Sequence, residues 1–400
     1  MKVLQISAVY KYGSVGRIAF DLHTTLVSRG YDSYIAHGRI FGSSDSETIR
    51  IGNKWSVYKH GFLTRMFDLH GFASKKATLK LIDEIKRLNP DLIHLHNLHG
   101  YYINIEILFD YIKEVNTPVI WTFHDCWNFT GHCVHFDYVG CEKWEKQCFQ
   151  CPQKRAYPAS WLDNSKRNFQ RKKAAFSHVN NLTIVTPSNW LAGLVRRSFL
   201  KDYPVRIINN GIDLNMFRPT SSLFRKQNNL EDKFIILGVA NIWDQRKGLQ
   251  YFLQLAKTLC DNEVIVLVGL SVKQKKQLPA NIIGITRTNS VQQLAEIYSA
   301  ADVFVNPTLE DNFPTTNLEA LACGTPIITF NTGGSVESID NKTGIVIEKG
   351  NLNHLRDAIT TIKNNPLKSE DCLKRAQYFD KNIKFQEYIE LYNDVLSNAK

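Results

Sequence analysis

No apolar run in this 400-residue chain approaches the roughly 20 residues that a helix needs to cross a bilayer. Its opening, Met1-Lys2-Val3-Leu4-Gln5-Ile6, has too short an apolar stretch for a signal peptide and reads directly as a first strand. Export is therefore not expected, and a cytoplasmic location is. There is no low-complexity tract, and no internal repeat beyond a loose similarity of the two halves. Helix-turn-helix and other nucleic-acid motifs are missing and the aromatics do not recur in a stacking pattern, so no nucleic acid is expected as a partner. The Asp-x-Asp pair typical of a diphosphate-bound metal is missing too.

What is present is ordinary in bulk and unusual in charge. Hydrophobic content of 44% with 22% charged residues fits a globular protein, and the length suggests two domains, each large enough for its own core. The formal net charge of +11 asks for an anionic partner. Most of the excess lies in the first half. Residues Ser165 to Phe176 carry Lys166, Arg167, Arg171, Lys172 and Lys173 with Phe169 and Phe176 between them. That pattern suits either peripheral contact with an anionic membrane or a merely solvated helix face.

Short β-branched runs alternate with helical patterns throughout, which predicts an α/β fold of two doubly wound parallel sheets. Six strands are expected before residue 209, among them Lys2–Ser7, Leu92–His96 and Val119–Phe123. Six more are expected after it, among them Phe234–Val239, Val303–Asn306 and Ile327–Phe330. The turn-rich Asn209-Asn210-Gly211-Ile212-Asp213 separates them, giving domains at 1–211 and 212–383 and a terminal helix over 384–400. A cleft between the carboxyl ends of the two strand sets is the expected ligand site.

Several stations carry candidate chemistry. Gly13 and Gly16, with Arg17, follow the first strand and precede a helix expected from about Ile18, a setting in which backbone can approach a phosphate. A third glycine is absent, which disfavours a nicotinamide cofactor. His124 stands at the end of the strand Val119–Phe123, as a ligand contact or as a core histidine satisfied by a carbonyl. His94 and His96 share one strand face, where cleft-lining or core roles are favoured over metal. Cys133, Cys141, Cys148 and Cys151 punctuate an irregular loop, and the Cys148-Phe149-Gln150-Cys151 spacing suits two thiolates on one tetrahedral ion, a structural zinc. Reduced, unliganded thiols are the alternative. Asn241 to Gly248 follows a strand and carries Arg246 and Lys247.

The densest station is Glu310-Asp311-Asn312-Phe313-Pro314, leading through Glu319 to Ala322-Cys323-Gly324-Thr325-Pro326. Acids and backbone amides at the mouth of a helix can grip the hydroxyls of a sugar. This segment strongly resembles the nucleotide-sugar signature of family-4 retaining glycosyltransferases, in which two acids with seven residues between them hold the donor hexose and ribose. Asp311 and Glu319 have that spacing, and Glu310 stands one place early. The resemblance extends over nearly the whole chain, through Thr122-Phe123-His124-Asp125, Thr186-Pro187-Ser188-Asn189-Trp190, Asn210-Gly211-Ile212-Asp213 and Arg246-Lys247-Gly248.

It implies the GT-B architecture, with the last helix crossing back to the first domain. It implies a bacterial capsule or exopolysaccharide enzyme moving a hexose, with retention, from a nucleotide-diphosphate sugar to a saccharide or polyprenyl-linked acceptor. His124, Asp311 and Glu319 would be catalytic. Gly13, Gly16, Arg17, Asn241, Arg246, Lys247, Glu310, Asn312 and Phe313 would bind the donor, with no cofactor required for the chemistry. Asn241 departs from the family's arginine, which shifts the diphosphate clamp toward Lys247, Arg246 or Arg17. The rival readings are a sugar-nucleotide epimerase or phosphorylase of the same fold, or a non-catalytic or nucleic-acid-binding protein.

Overall fold

The computed structural model describes residues 1–39 and 47–398. Among them, β-branched and apolar runs form thirteen strands in two all-parallel sheets. The first holds β1 (Lys2–Val9), β2 (Asp32–Arg39), β3 (Thr48–Arg50), β4 (Leu92–Leu95), β5 (Val119–Thr122), β6 (Leu182–Thr186) and β7 (Val205–Ile207). The second holds β8 (Phe234–Val239), β9 (Glu263–Val268), β10 (Ile282–Ile285), β11 (Val303–Asn306), β12 (Ile327–Phe330) and β13 (Gly344–Ile347).

Both sheets are doubly wound, as expected. The order is β3-β2-β1-β4-β5-β6-β7 in one and β10-β9-β8-β11-β12-β13 in the other. Each order reverses direction once, between β1 and β4 and between β8 and β11. Loops leaving the carboxyl ends of such a pair splay apart and leave a place for ligand. Each sheet packs one apolar cluster on either face, for example Leu4, Ile6 and Trp121 against Val3, Leu22 and Ile120 in the first. Burial on both faces explains why the strands read as continuous apolar runs rather than alternating ones.

The chain divides into two compact units: residues 1–208 together with the segment from Phe385 onward, and Asn209–Lys384. Two stretches of the second unit lie side by side at its margins. Ile212 N donates to Phe379 O at 2.7 Å, Lys381 N donates to Ile212 O at 2.9 Å, and the Lys381 ammonium reaches Asp213 at 2.6 Å. Gly211 permits that approach, because a Cβ there would stand 2.6 Å from Lys381 Cα.

Two helix boundaries are corrected, and one open alternative is narrowed. The helix after β1 begins at Gly13, not near Ile18, so the glycines lie in its first turn. The last helix begins at Lys381 and reaches Asn398, and residues 399–400 of the expected terminal segment lie outside the described residues. In the helix Ser165–Phe176, the aromatics face inward: Phe169, Phe176 and even Lys172 are buried, and Arg171 is paired with Glu106 at 2.6 Å. Its exposed side is a polar one, so this helix offers no aromatic anchors to a membrane.

Candidate active site

In the second unit, the candidate residues gather where the strand order reverses. The loop after β8 carries Arg246 and Lys247 and ends at Gly248, whose φ of +79° and contact with Pro307 O leave no room for a Cβ. The helix Leu249–Leu255 starts there. The loop after β11 carries Glu310 to Phe313 and enters the helix Thr315–Ala322, on which Glu319 lies.

The two loops are tied together by backbone and charge. Leu309 N donates to Arg246 O at 2.7 Å, and the Arg246 guanidinium donates to Glu310 O at 2.7 Å. Lys247 Nζ meets Asp311 Oδ2 at 2.5 Å, with the Arg246 guanidinium 3.9 Å from the same oxygen. The loop after β12 closes the group, since Gly334 N donates to Asp311 O at 2.9 Å. Gly333 lies so close to that carbonyl that a Cβ would stand 2.0 Å away.

The signature residues differ in exposure. Glu310, Asn312 and Phe313 are buried. Phe313 packs on Phe379, and its carbonyl accepts from Asn210 Nδ2 at 3.0 Å, so its side chain anchors the loop from the core. Glu319 is nearly buried and accepts from the Tyr298 hydroxyl at 3.0 Å. Burial first, and the Glu319 carboxylate second, hold the Tyr298 phenol well above its usual range, so it remains a donor. Tyr298 was not foreseen, because no local spacing links it to the signature. Asn241 is exposed on the loop after β8.

In the first unit, Gly13 opens the helix Gly13–Ser28 with φ +66°, and Gly16 lies against Val9 at the end of β1. Arg17 is exposed on the first turn. His124 follows β5, its Nε2 3.2 Å from His96 Nδ1 and its ring stacked on His96 at 5.5 Å. Burial pulls its pKa to about 4 against the opposing charge of Asp125, so the imidazole is neutral near pH 7.

A network of histidines supports it. His96 Nε2 meets Gln5 at 3.0 Å, and His94 bridges the Tyr392 hydroxyl at 2.6 Å and Thr122 Oγ1 at 2.8 Å. With both ring nitrogens of each engaged, His94 and His96 are not disposed to bind metal. His99 Nε2 contacts Asp125 at 2.6 Å, and its Nδ1 meets Tyr157. Burial alone would raise Asp125, but the His99 charge and hydrogen bond and the Trp127 amide hold it down to about 2.

Cys133, Cys141, Cys148 and Cys151 all line one small void in the loop beyond β5, none of them in a disulfide. Among the described residues, no group of three or more His, Cys, Asp or Glu side chains stands placed to hold a metal ion.

Residues 15–216 match the family described as Glycosyltransferase Family 4, and residues 233–365 match one described as Glycosyl transferases group 1. The chain is 23% identical, over 99% of its length and 100% of the relative, to a protein of Escherichia coli strain K12 named as the colanic acid biosynthesis glycosyl transferase WcaC. It is 28% identical, over 57% of its length and 64% of the relative, to the N,N'-diacetylbacillosaminyl-diphospho-undecaprenol alpha-1,3-N-acetylgalactosaminyltransferase of Campylobacter jejuni. Its fold is similar to that of the sucrose-phosphate synthase of Thermosynechococcus elongatus, with a TM-score of 0.74 at 18% identity over 99% of both chains. It is similar also to Anabaena HepE in complex with UDP and glucose, with a TM-score of 0.69 at 15% identity over 98% of this chain and 100% of that one.

Proposed function

Because this chain belongs to glycosyltransferase family 4, we propose that it moves a hexose, with retention, from a nucleotide-diphosphate sugar to a lipid-linked saccharide during surface polysaccharide synthesis. The observation that carries this reading is the constellation of Arg246, Lys247, Asp311 and Glu319 at the strand-order reversal of the second unit. It offers two cations for a diphosphate and two carboxylates for sugar hydroxyls. The relatives named for colanic acid and for a diphospho-undecaprenol acceptor support the polysaccharide and the lipid link.

In this reading the acceptor hydroxyl bonds to the anomeric carbon on the face from which the diphosphate departs, and its proton passes to a departing phosphate oxygen. Negative charge grows on the diphosphate as the bond breaks, and preformed cations there lower the barrier. Lys247 and Arg246 take that role, leaving Asn241 without one. Asp311 and Glu319 orient the sugar.

A lipid-linked acceptor lies at a bilayer, and the helix Lys54–Phe67 suits one. Trp55, Tyr58 and Phe62 are 81%, 71% and 62% exposed, and Lys54, Lys59 and Arg65 are exposed beside them. Aromatic anchors among cations match an anionic headgroup layer. That helix, rather than Ser165–Phe176, is the proposed peripheral contact of a cytoplasmic enzyme.

A panel of nucleotide sugars tests the reading. The true donor should raise the melting temperature, because it binds only the native state, and should be turned over with a polyprenyl-diphosphate saccharide. The product linkage, read by NMR, should keep the donor's anomeric configuration. An inverted product, or no stabilising nucleotide sugar, would overturn the proposal.

A further inference from the structure

The loop between β5 and the helix Ser165–Phe176 contains little regular structure, yet it is firmly organised around sulfur. Cys133, Cys141, Cys148 and Cys151 line a void of about 10 Å³, room for roughly one water-sized particle. His132 lines it too. Nothing in the proposed glycosyl transfer uses these residues.

Three features of the backbone shape this place for an ion. The Cys148–Cys151 turn is held in a fixed shape: Gln150 has φ +45°, and Lys143 Nζ caps the carbonyls of Phe149 and Gln150 at 3.1 and 3.2 Å. Backbone amides point at the sulfurs, with Gly131 N donating to Cys148 Sγ at 3.2 Å and the Gln153 amide donating to Cys151. Such donors suit thiolates better than thiols, since a hydrogen bond to a charged acceptor is the stronger kind. Gly131 must be glycine for this contact, because a Cβ would stand 2.1 Å from Ser165 O and 2.8 Å from Cys148 Cβ.

The surroundings also hold a buried lysine with no carboxylate in direct hydrogen-bond contact, Asp68 and Asp125 acting on it only from further off. Lys172 is 1% exposed, and its ammonium meets the Trp127 carbonyl at 2.7 Å rather than a carboxylate. A buried cation of this kind is expensive unless opposite charge lies near. Asp68 holds His132 Nδ1 at 2.6 Å, while the buried His132 Nε2 has no hydrogen-bond partner. A centre of four thiolates and one divalent ion carries net negative charge, which would offset Lys172 and give His132 Nε2–H an acceptor.

We propose that Cys133, Cys141, Cys148 and Cys151 bind one zinc ion as a structural site, with His132, oriented by Asp68, and Lys172 as its outer-sphere donors. Binding releases the thiol protons to solvent and draws the four sulfurs in upon the void. Four sulfurs fill a tetrahedral zinc, so no position is left for a reactive water. The ion fixes the loop that follows His124 and Asp125, and with it the shape of that strand end.

Elemental analysis of full-length protein prepared without a metal-affinity tag tests this. About one zinc per chain is expected, with four thiols shielded from a thiol reagent until a chelator is added, while exposed Cys260 reacts at once. Cobalt-loaded protein should show the intense visible bands of tetrahedral thiolate coordination. Cys141→Ser, at the more exposed rim of the void, should drop zinc content toward zero and weaken those bands. His132→Gln should keep the metal. Cys148→Ser should do as Cys141→Ser does, and if it fails to fold, the wild-type metal content and cobalt spectrum still decide. Metal-free protein with four freely reacting thiols overturns the site, as does protein whose mass shows these cysteines paired in disulfides. Full zinc in Cys141→Ser together with loss in His132→Gln overturns the four-thiolate assignment.

Discussion

Lys247 Nζ lies 2.5 Å from Asp311 Oδ2, joining the loop after β8 to the loop after β11 where the six-stranded sheet reverses its order. In the proposed reading, a cation for a diphosphate and an acid for a sugar hydroxyl are thus partners before either meets the donor. Each holds the other in place, and each must yield part of that contact when ligand arrives.

Lys247→Ala should therefore lower kcat/KM by about 10- to 100-fold, the loss of a charge-assisted contact worth about 1.5–3 kcal/mol. Asp311→Asn should be deleterious too, and the double variant should lose less than the product of the two single losses. Steady-state kinetics of all four proteins measure this coupling. Strict additivity would show that the pair does not act as a unit.

Glu319→Gln should lose about tenfold or more in turnover while keeping its melting temperature within a few degrees, since one charged acceptor is lost and the volume is kept. Tyr298→Phe, which removes only the hydroxyl that donates to Glu319, should lose less. Wild-type rates for Glu319→Gln across a range of donor concentrations would remove that carboxylate from the site.

Acid should unfold the first unit early. Burial lowers the pKa of His60 to about 4, of His94 to about 3, and of His70 and His96 well below the ordinary value. Below about pH 6.5 the unfolded chain takes up these protons and the native state does not, so the unfolded state binds more and stability falls as pH drops. Each such histidine contributes a slope of up to about 1.4 kcal/mol per pH unit down to its folded pKa. Urea midpoints at pH 7.5, 6 and 5 check this, and a flat profile would contradict it.

Replacing Trp55, Tyr58 and Phe62 together by Ser should sharply reduce co-sedimentation with phosphatidylglycerol vesicles. Thermal stability should barely change, because these side chains are largely in water already. Equal vesicle binding by variant and wild type would remove this helix from the membrane reading.

Much of the fold was legible because buried parallel strands leave unbroken apolar runs. The expected limits of β8, β11 and β12 coincide with those found. The edge strand β3, three residues long with an arginine in it, gave no such run. The signature acids stood out by their spacing, but the tie between their loop and Arg246-Lys247 did not, because it depends on β8 and β11 becoming neighbours. The inward turn of Phe169 and Phe176 was not. Nor was the link between His94 and Tyr392, which lie 298 residues apart and meet only once the last helix has packed. The exposed aromatics of Lys54–Phe67 escaped notice because a sequence pattern does not show which face of a helix finds a neighbour.

The discontinuity of the first unit also constrains how the protein is made. Residues from Phe385 onward supply Tyr388 and Tyr392 to His94 and Thr122, and they leave the ribosome after the whole of Asn209–Lys384. At roughly 5–20 residues per second, the first sheet waits about 10 to 35 seconds for its last helix. Throughout that interval Val3, Leu22 and Ile120, which pack with that helix, lack part of their cover. By contrast, all of Asn209–Lys384 has emerged before the residues from Phe385 onward do.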